Sequence, residues 1–145
     1  MENMYLKDGE LFVLDQTKLP NEITYFNPKT KKDYYYAIKT LQVRGAPAIG
    51  IFAGYAMALL DEDKSELKAY LDSCRPTAVN LSYATSRMLK AYEQEKNLLN
   101  EAISIHNEDI EMCKKISEYG LSLLKDGDGI LTHCNAGELA TSKYG

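Results

Sequence analysis

From Gly45 to Leu60 the sequence runs sixteen residues without a charge. That stretch constrains the fold more than any other. It is shorter than the ~20 apolar residues that span a bilayer, and Pro47, Gly50 and Gly54 interrupt it. It reads instead as a helix beginning at Pro47, where the missing N–H has no partner to lose. Ala48, Gly50, Ala53, Gly54, Ala56 and Ala58 let other backbones come close. The helix is therefore expected to be central and buried, running to about Leu60.

The flanking segments supply the layers around it. Asp8-Gly9, between Tyr5-Leu6-Lys7 and the run Glu10 to Asp15, is a strong two-residue hairpin signal. Glu22 to Phe26 alternates and stops at Asn27-Pro28, as a third strand would. From Asp33 the period changes: Tyr34, Ile38 and Leu41 share a helix face. Further helices are expected after Ser65, read as a cap, through Asp72 and from Thr77 to Glu95. Periodicity is mixed from Glu93 to His106, and Asn107 reads as the cap of another helix.

Gly129-Ile130-Leu131-Thr132-His133 then reads as a buried strand of a parallel sheet, followed by a turn and a helix from Glu138. A strand–turn–helix that stops after two turns reads as the start of a second domain, cut short. The alternative is that this strand joins the N-terminal sheet. The fold class expected is α+β. A small antiparallel three-stranded sheet and a helical bundle occupy 1–127, and 128–145 open an α/β domain.

Charge and cysteine content exclude several functions. Net charge is −4 with pI near 5.2, so no global basic field attracts nucleic acid or anionic lipid. Any anion site must be local. Three scattered cysteines without a CxxC argue against a disulfide framework and a zinc site. The opening Met-Glu-Asn-Met-Tyr lacks a signal-peptide layout. The expectation is a soluble, cytoplasmic protein with no membrane or nucleic-acid partner, no metal and no cofactor.

Lysine outnumbers arginine fourteen to three. Arginine is favoured where a planar fork grips an oxyanion. Arg44 precedes Gly45-Ala46-Pro47 and a helix start; Arg75 precedes Pro76-Thr77 and another. Helix N-termini offer free N–H groups and partial positive charge, and Gly45 lets a ligand near the backbone. Spacing alone still favours two ordinary loop arginines. Cys134 follows the predicted strand and precedes the predicted helix, the position where a thiol gains thiolate character. A buried structural cysteine is the commoner fate. Strand alternation turns His133 to the other face, so no Cys–His pair is implied. Cys113 reads as core, Cys74 as incidental, and His106 as part of a polar loop. Tyr34, Tyr35 and Tyr36 read as packing and rim residues.

At these residues the sequence resembles the S-methyl-5-thioribose-1-phosphate isomerases of methionine salvage, an initiation-factor-2B-like family. Four segments match in order: LDQT-x-LP at Leu14 to Pro20, VRGAPAIGI at Val43 to Ile51, RPTAVNL at Arg75 to Leu81, and ILTHCNAG at Ile130 to Gly137. The resemblance implies a small N-terminal domain before a Rossmann-like domain, in a homodimer. It implies interconversion of an aldose 1-phosphate and a ketose 1-phosphate without metal or nucleotide. It carries phosphate contacts to Arg44, Gly45, Ala46 and Arg75. It carries proton transfer, or transition-state stabilisation, to Cys134. This reverses the weight given to the two arginines. Cys74 and Glu138 depart from the pattern in a minor way.

A furanose phosphorylated at C1 cannot open spontaneously. Ring opening needs an acid at the ring oxygen, and the C2-to-C1 shift needs a proton acceptor and donor. The family's second catalytic group is an Asp in a Gly-Ala-Asp-Arg segment that this sequence lacks, so the chain is expected to be an inactive N-terminal portion or one part of a split protein. Close relatives act on 5-deoxyribose 1-phosphate or ribose 1,5-bisphosphate, and the segments do not separate these. A different class shares the architecture: regulatory subunits of the translation initiation guanine-exchange factor, which are binding and assembly modules.

Overall fold

The structure is a computed structural model that describes residues 2–145. Strands β1 (Met4–Lys7) and β2 (Glu10–Leu14) form an antiparallel hairpin with Tyr5 opposite Phe12 and Leu6 opposite Leu11. Asp8 and Gly9 both take positive φ, 52° and 79°, as the favoured two-residue hairpin turn requires. β3 (Tyr25–Phe26) pairs with β2 and completes the order β1-β2-β3. It is shorter than the predicted Glu22 to Phe26. The Glu22 N–H turns back to the Lys18 carbonyl, and only one further bond, from Asp15 N–H to the Thr24 carbonyl, extends the contact.

Five helices pack beside the sheet. α1 (Lys31–Lys39) begins with a capping box in which Thr30 and Asp33 satisfy each other's backbone N–H. α2 (Ala46–Leu59) is the predicted central helix, and every residue from Ala48 to Met57 is buried. α3 (Lys64–Cys74) is capped by Asp63, whose carboxylate accepts from Glu66 N–H, rather than by Ser65. α4 is Val79–Glu93 and α5 is Leu98–Leu121.

The predicted break before Asn107 does not occur. Asn97 caps α5 by accepting from Asn100 N–H, and no Gly or Pro interrupts the next twenty-two residues. Asn107 is simply exposed within the helix. His106 accordingly lies on α5 and not in a loop.

One core joins the layers. Phe52 of α2 sits 4.6 Å from the Tyr34 ring of α1 and 6.4 Å from Phe26 of β3. Met4, Leu11 and Val13 from the sheet close one side; Leu81, Ala84 and Met88 from α4 and Ile105 from α5 close the other. Gly50 allows α2 and α4 to meet: a Cβ there would stand 2.7 Å from the Asn80 carbonyl oxygen. Cys113 is core, as predicted, and so is Cys74, whose thiol is pushed up by burial.

The strand predicted at 129–133 does not form, and it does not join the N-terminal sheet. Ile130 and Leu131 are 71% and 97% exposed. A parallel strand needs partners for its backbone groups. Among the described residues the only sheet is β1-β2-β3, and its strands do not reach this segment. The helix predicted from Glu138 is a single 3-10 turn, Glu138–Ala140. That turn packs back against α2, and Ala140, Thr141 and Ser142 are buried. No helix among the described residues is long and apolar enough to cross a membrane.

Candidate functional site

α2 and α4 start side by side, and neither start has a side-chain cap. Gly45 at the head of α2 and Ala78 at the head of α4 bring no oxygen to the free N–H groups of the first turn. Gly45 takes φ 101°, a conformation that favours glycine. Pro47 stands in the first turn of α2, where it removes a donor that needed no partner. Both helix ends thus present positive partial charge to the same side of the molecule.

A cleft of about 450 Å³ lies there. Arg44, Gly45, Ala46, Arg75 and Cys134 all line it, so the structure gathers every predicted site residue into one place. Arg44 and Arg75 are 31 residues apart in sequence, and Arg75 and Cys134 are 59 apart, so only the fold brings them together.

The three arginines divide by environment. Arg87 spends its guanidinium on carboxylates: Nε donates to Glu101 at 2.6 Å, and Nη1 and Nη2 donate to Glu108 at 2.5 and 2.7 Å. Its pKa is raised, first by the Glu108 hydrogen bond. Arg44 and Arg75 are exposed, and their guanidinium groups make no hydrogen bond or ion pair among the described residues. Their charge faces the cleft without a protein counter-ion.

Cys134 is exposed and sits at φ 71°, in the left-handed region that a non-glycine residue adopts at a cost of about 1 kcal/mol or more. It is not at a helix N-terminus, because the predicted helix is absent. His133 is exposed and does not line the cleft.

The structure adds residues that the sequence reading missed. Leu41, Thr77, Val79, Asn80 and Asn135 also line the cleft. Four of them lie inside matched segments beside residues already singled out, so adjacency was the available signal. Leu41 stands at φ 65°, which nothing in its local sequence announces. Elsewhere, His106 meets Tyr55, and burial lowers the His106 pKa and pushes the Tyr55 hydroxyl up to about 12.

Comparison with known proteins bears on the family and the fold. Residues 42–142 match the model of the Initiation factor 2 subunit family. The chain is 48% identical to the methylthioribose-1-phosphate isomerase of Carboxydothermus hydrogenoformans, over all of this chain and 48% of that protein. It is 52% identical to the 5-deoxyribose 1-phosphate isomerase of Clostridium botulinum, over 94% of this chain and 45% of that protein. The crystal structure of 5-methylthioribose 1-phosphate isomerase from Pyrococcus horikoshii superposes with a TM-score of 0.85 at 34% identity. It covers 99% of this chain and 46% of its own. Subunit delta of translation initiation factor eIF-2B from A. fulgidus superposes at 0.79 with 38% identity, over 99% of this chain and 47% of its own. The chain thus spans about half the length of the relatives it matches.

Proposed function

The chain belongs to the Initiation factor 2 subunit family, and on that premise we propose that it forms the phosphate-gripping part of an aldose–ketose isomerase for a sugar 1-phosphate. The observation that carries the reading is the shared cleft of Arg44, Gly45, Ala46, Arg75 and Cys134. Two unneutralised guanidinium groups and two uncapped helix ends suit a phosphate dianion. The backbone at Gly45 and Ala46 and both arginines would hold it, fixing the sugar so that its C1 and C2 face the Cys134 thiol.

In the reaction, the ring C1–O bond opens as the ring oxygen takes a proton. Hydrogen then moves from C2 to C1 as the C2 hydroxyl gives its proton to a base, leaving a C2 carbonyl and a C1 methylene that still bears the phosphate. A thiol carries one proton at a time, so a second acid–base group is required. The residues that line the cleft include no Asp, Glu or His. The expected consequence is that these 145 residues bind substrate without turning it over. The second group, a homodimer and a Rossmann-like unit opening at residue 128 after a domain over 1–127 belong to the same proposal. So do a cytoplasmic setting and the absence of nucleic-acid partners.

The cleft walls favour a monophosphate over a bisphosphate among the substrates of close relatives. Leu41, Ile49 and Val79 are apolar, and beyond Arg44 and Arg75 no further cation among the described residues lines the cleft. The lining offers one cluster of cations for one phosphate, so 5-methylthioribose 1-phosphate or 5-deoxyribose 1-phosphate is the better match than ribose 1,5-bisphosphate. Calorimetric titration with each compound tests this. Tightest binding of the bisphosphate would reject it.

The match to the eIF-2B delta subunit supports a second reading, a regulatory binding module. That reading predicts that the arginines contact protein, and that no sugar 1-phosphate binds at millimolar concentration.

A further inference from the structure

LDQT at Leu14 to Thr17 is the one matched segment that does not line the cleft. Its side chains are nonetheless committed to the chain on both sides of the cleft. Asp15, buried, accepts from Thr17 N–H at 3.0 Å, Thr17 Oγ1 at 2.6 Å and Gln42 Nε2 at 2.8 Å. The Gln16 N–H donates to the Gln42 carbonyl at 3.0 Å. Gln42 is two residues before Arg44, so this knot fixes the approach to one phosphate contact.

The opposite side is fixed by the next side chain along. Gln16 Nε2 donates to the Leu139 carbonyl at 2.7 Å. Asn3, buried, donates from Nδ2 to the carbonyls of Glu138 at 2.6 Å and Thr141 at 2.7 Å, so both of its N–H bonds are spent on this one turn. The Ser142 N–H donates to Asp109 at 2.9 Å. The turn so held lies flush on the start of α2: a Cβ on Gly45 would stand 2.3 Å from Ala140 Cα. Cys134 is only four residues before this turn and has no strand or helix of its own to hold it.

We infer that Asn3 and Gln16 are positioning residues that clamp the 138–141 turn onto α2 and thereby hold the Cys134 loop over the phosphate cleft. Three side chain–backbone bonds do the work that a strand and helix would do elsewhere. The buried Asn3 amide cannot exchange its partners for water without opening the packing around Ala140. Each carbonyl freed by a substitution loses its partner, so the loop loosens while the arginine side of the cleft stays in place. The ligand part of this inference rests on the proposed function; the clamp itself does not.

Two variants test it: Gln16→Met, close in volume without the donor, and Asn3→Leu. The first measurement is amide exchange at Ala140 and Ser142, which needs no ligand. Exchange at least tenfold faster in Gln16→Met supports the clamp; unchanged exchange in both variants overturns it. Should Asn3→Leu not fold, Gln16→Met, whose side chain is only half-buried, decides alone. The second measurement is iodoacetamide labelling of Cys134 with and without ribose 1-phosphate, read by peptide mass. The ligand is expected to slow labelling of the wild type. In Gln16→Met that protection should fall at least fivefold, while affinity for inorganic phosphate changes less than twofold. Full protection in Gln16→Met overturns the positioning role. No protection in the wild type would sink the phosphate reading and leave the clamp to be judged by exchange.

Discussion

The Tyr55 hydroxyl oxygen and His106 Nδ1 lie 2.8 Å apart, joining the middle of α2 to α5. The ring planes meet edge-on, at 85°. Burial holds the His106 pKa below 6.5, against the pull of Asp109 and Glu2. The unfolded chain therefore takes the proton first as pH falls through 6.5. Stability is complete above that value and declines below it, by at most ~1.4 kcal/mol per pH unit for this one group. Thermal unfolding should begin earlier at pH 5 than at pH 7, and His106→Gln should flatten that difference. An equal pH dependence in the variant would assign the loss to carboxylates instead.

Phe52 is completely buried between Tyr34 and Phe26. Phe52→Ala leaves a cavity in the one core that unites sheet and helices. A loss of ~3–5 kcal/mol in chemical denaturation is expected. A loss below 1 kcal/mol would mean that the layers stand independently.

Arg87 separates stability from binding. Its fork is committed to Glu101 and Glu108, on the α4–α5 face away from the cleft. Arg87→Ala should lower stability by about 1 kcal/mol, since Glu108 is half exposed and the pair is screened. Sugar-phosphate affinity should be unchanged. A tenfold loss of affinity would show that the three arginines act together.

Gly45→Ala is expected to be worse than its size suggests. The added Cβ meets Ala140 backbone and side chain, and φ 101° disfavours any L residue. The 138–141 turn must move, so labelling of Cys134 should lose its dependence on ribose 1-phosphate. Retained dependence would show that the turn yields without disturbing the cleft.

Much of this was legible in the residues. The charge-free stretch at Gly45 to Leu60 specified a central helix because small residues permit close contact on every side. Asp8-Gly9 specified a hairpin because its conformation demands positive φ. The rarity of arginine singled out Arg44 and Arg75, but spacing alone favoured ordinary loop arginines; that they share one cleft emerges only from the fold. The reading failed where tertiary context decides. Ile130 and Leu131 have strand character, yet a strand exists only with partners. Asn107 has cap character, yet Asn97 had already started the helix and nothing stopped it. The role of His106 is hidden in the sequence because its partner, Tyr55, is fifty-one residues away. The clamp of Asn3 and Gln16 was invisible because both act on backbone carbonyls, which no residue type announces.

The most direct test is calorimetric titration of 5-methylthioribose 1-phosphate into the wild type, Arg44→Ala and Arg75→Ala. Each lost guanidinium removes charge-assisted hydrogen bonds of about 1.5–3 kcal/mol, so at least a tenfold weakening is expected in each variant. Binding that is absent in the wild type, or equal in all three proteins, would contradict the account.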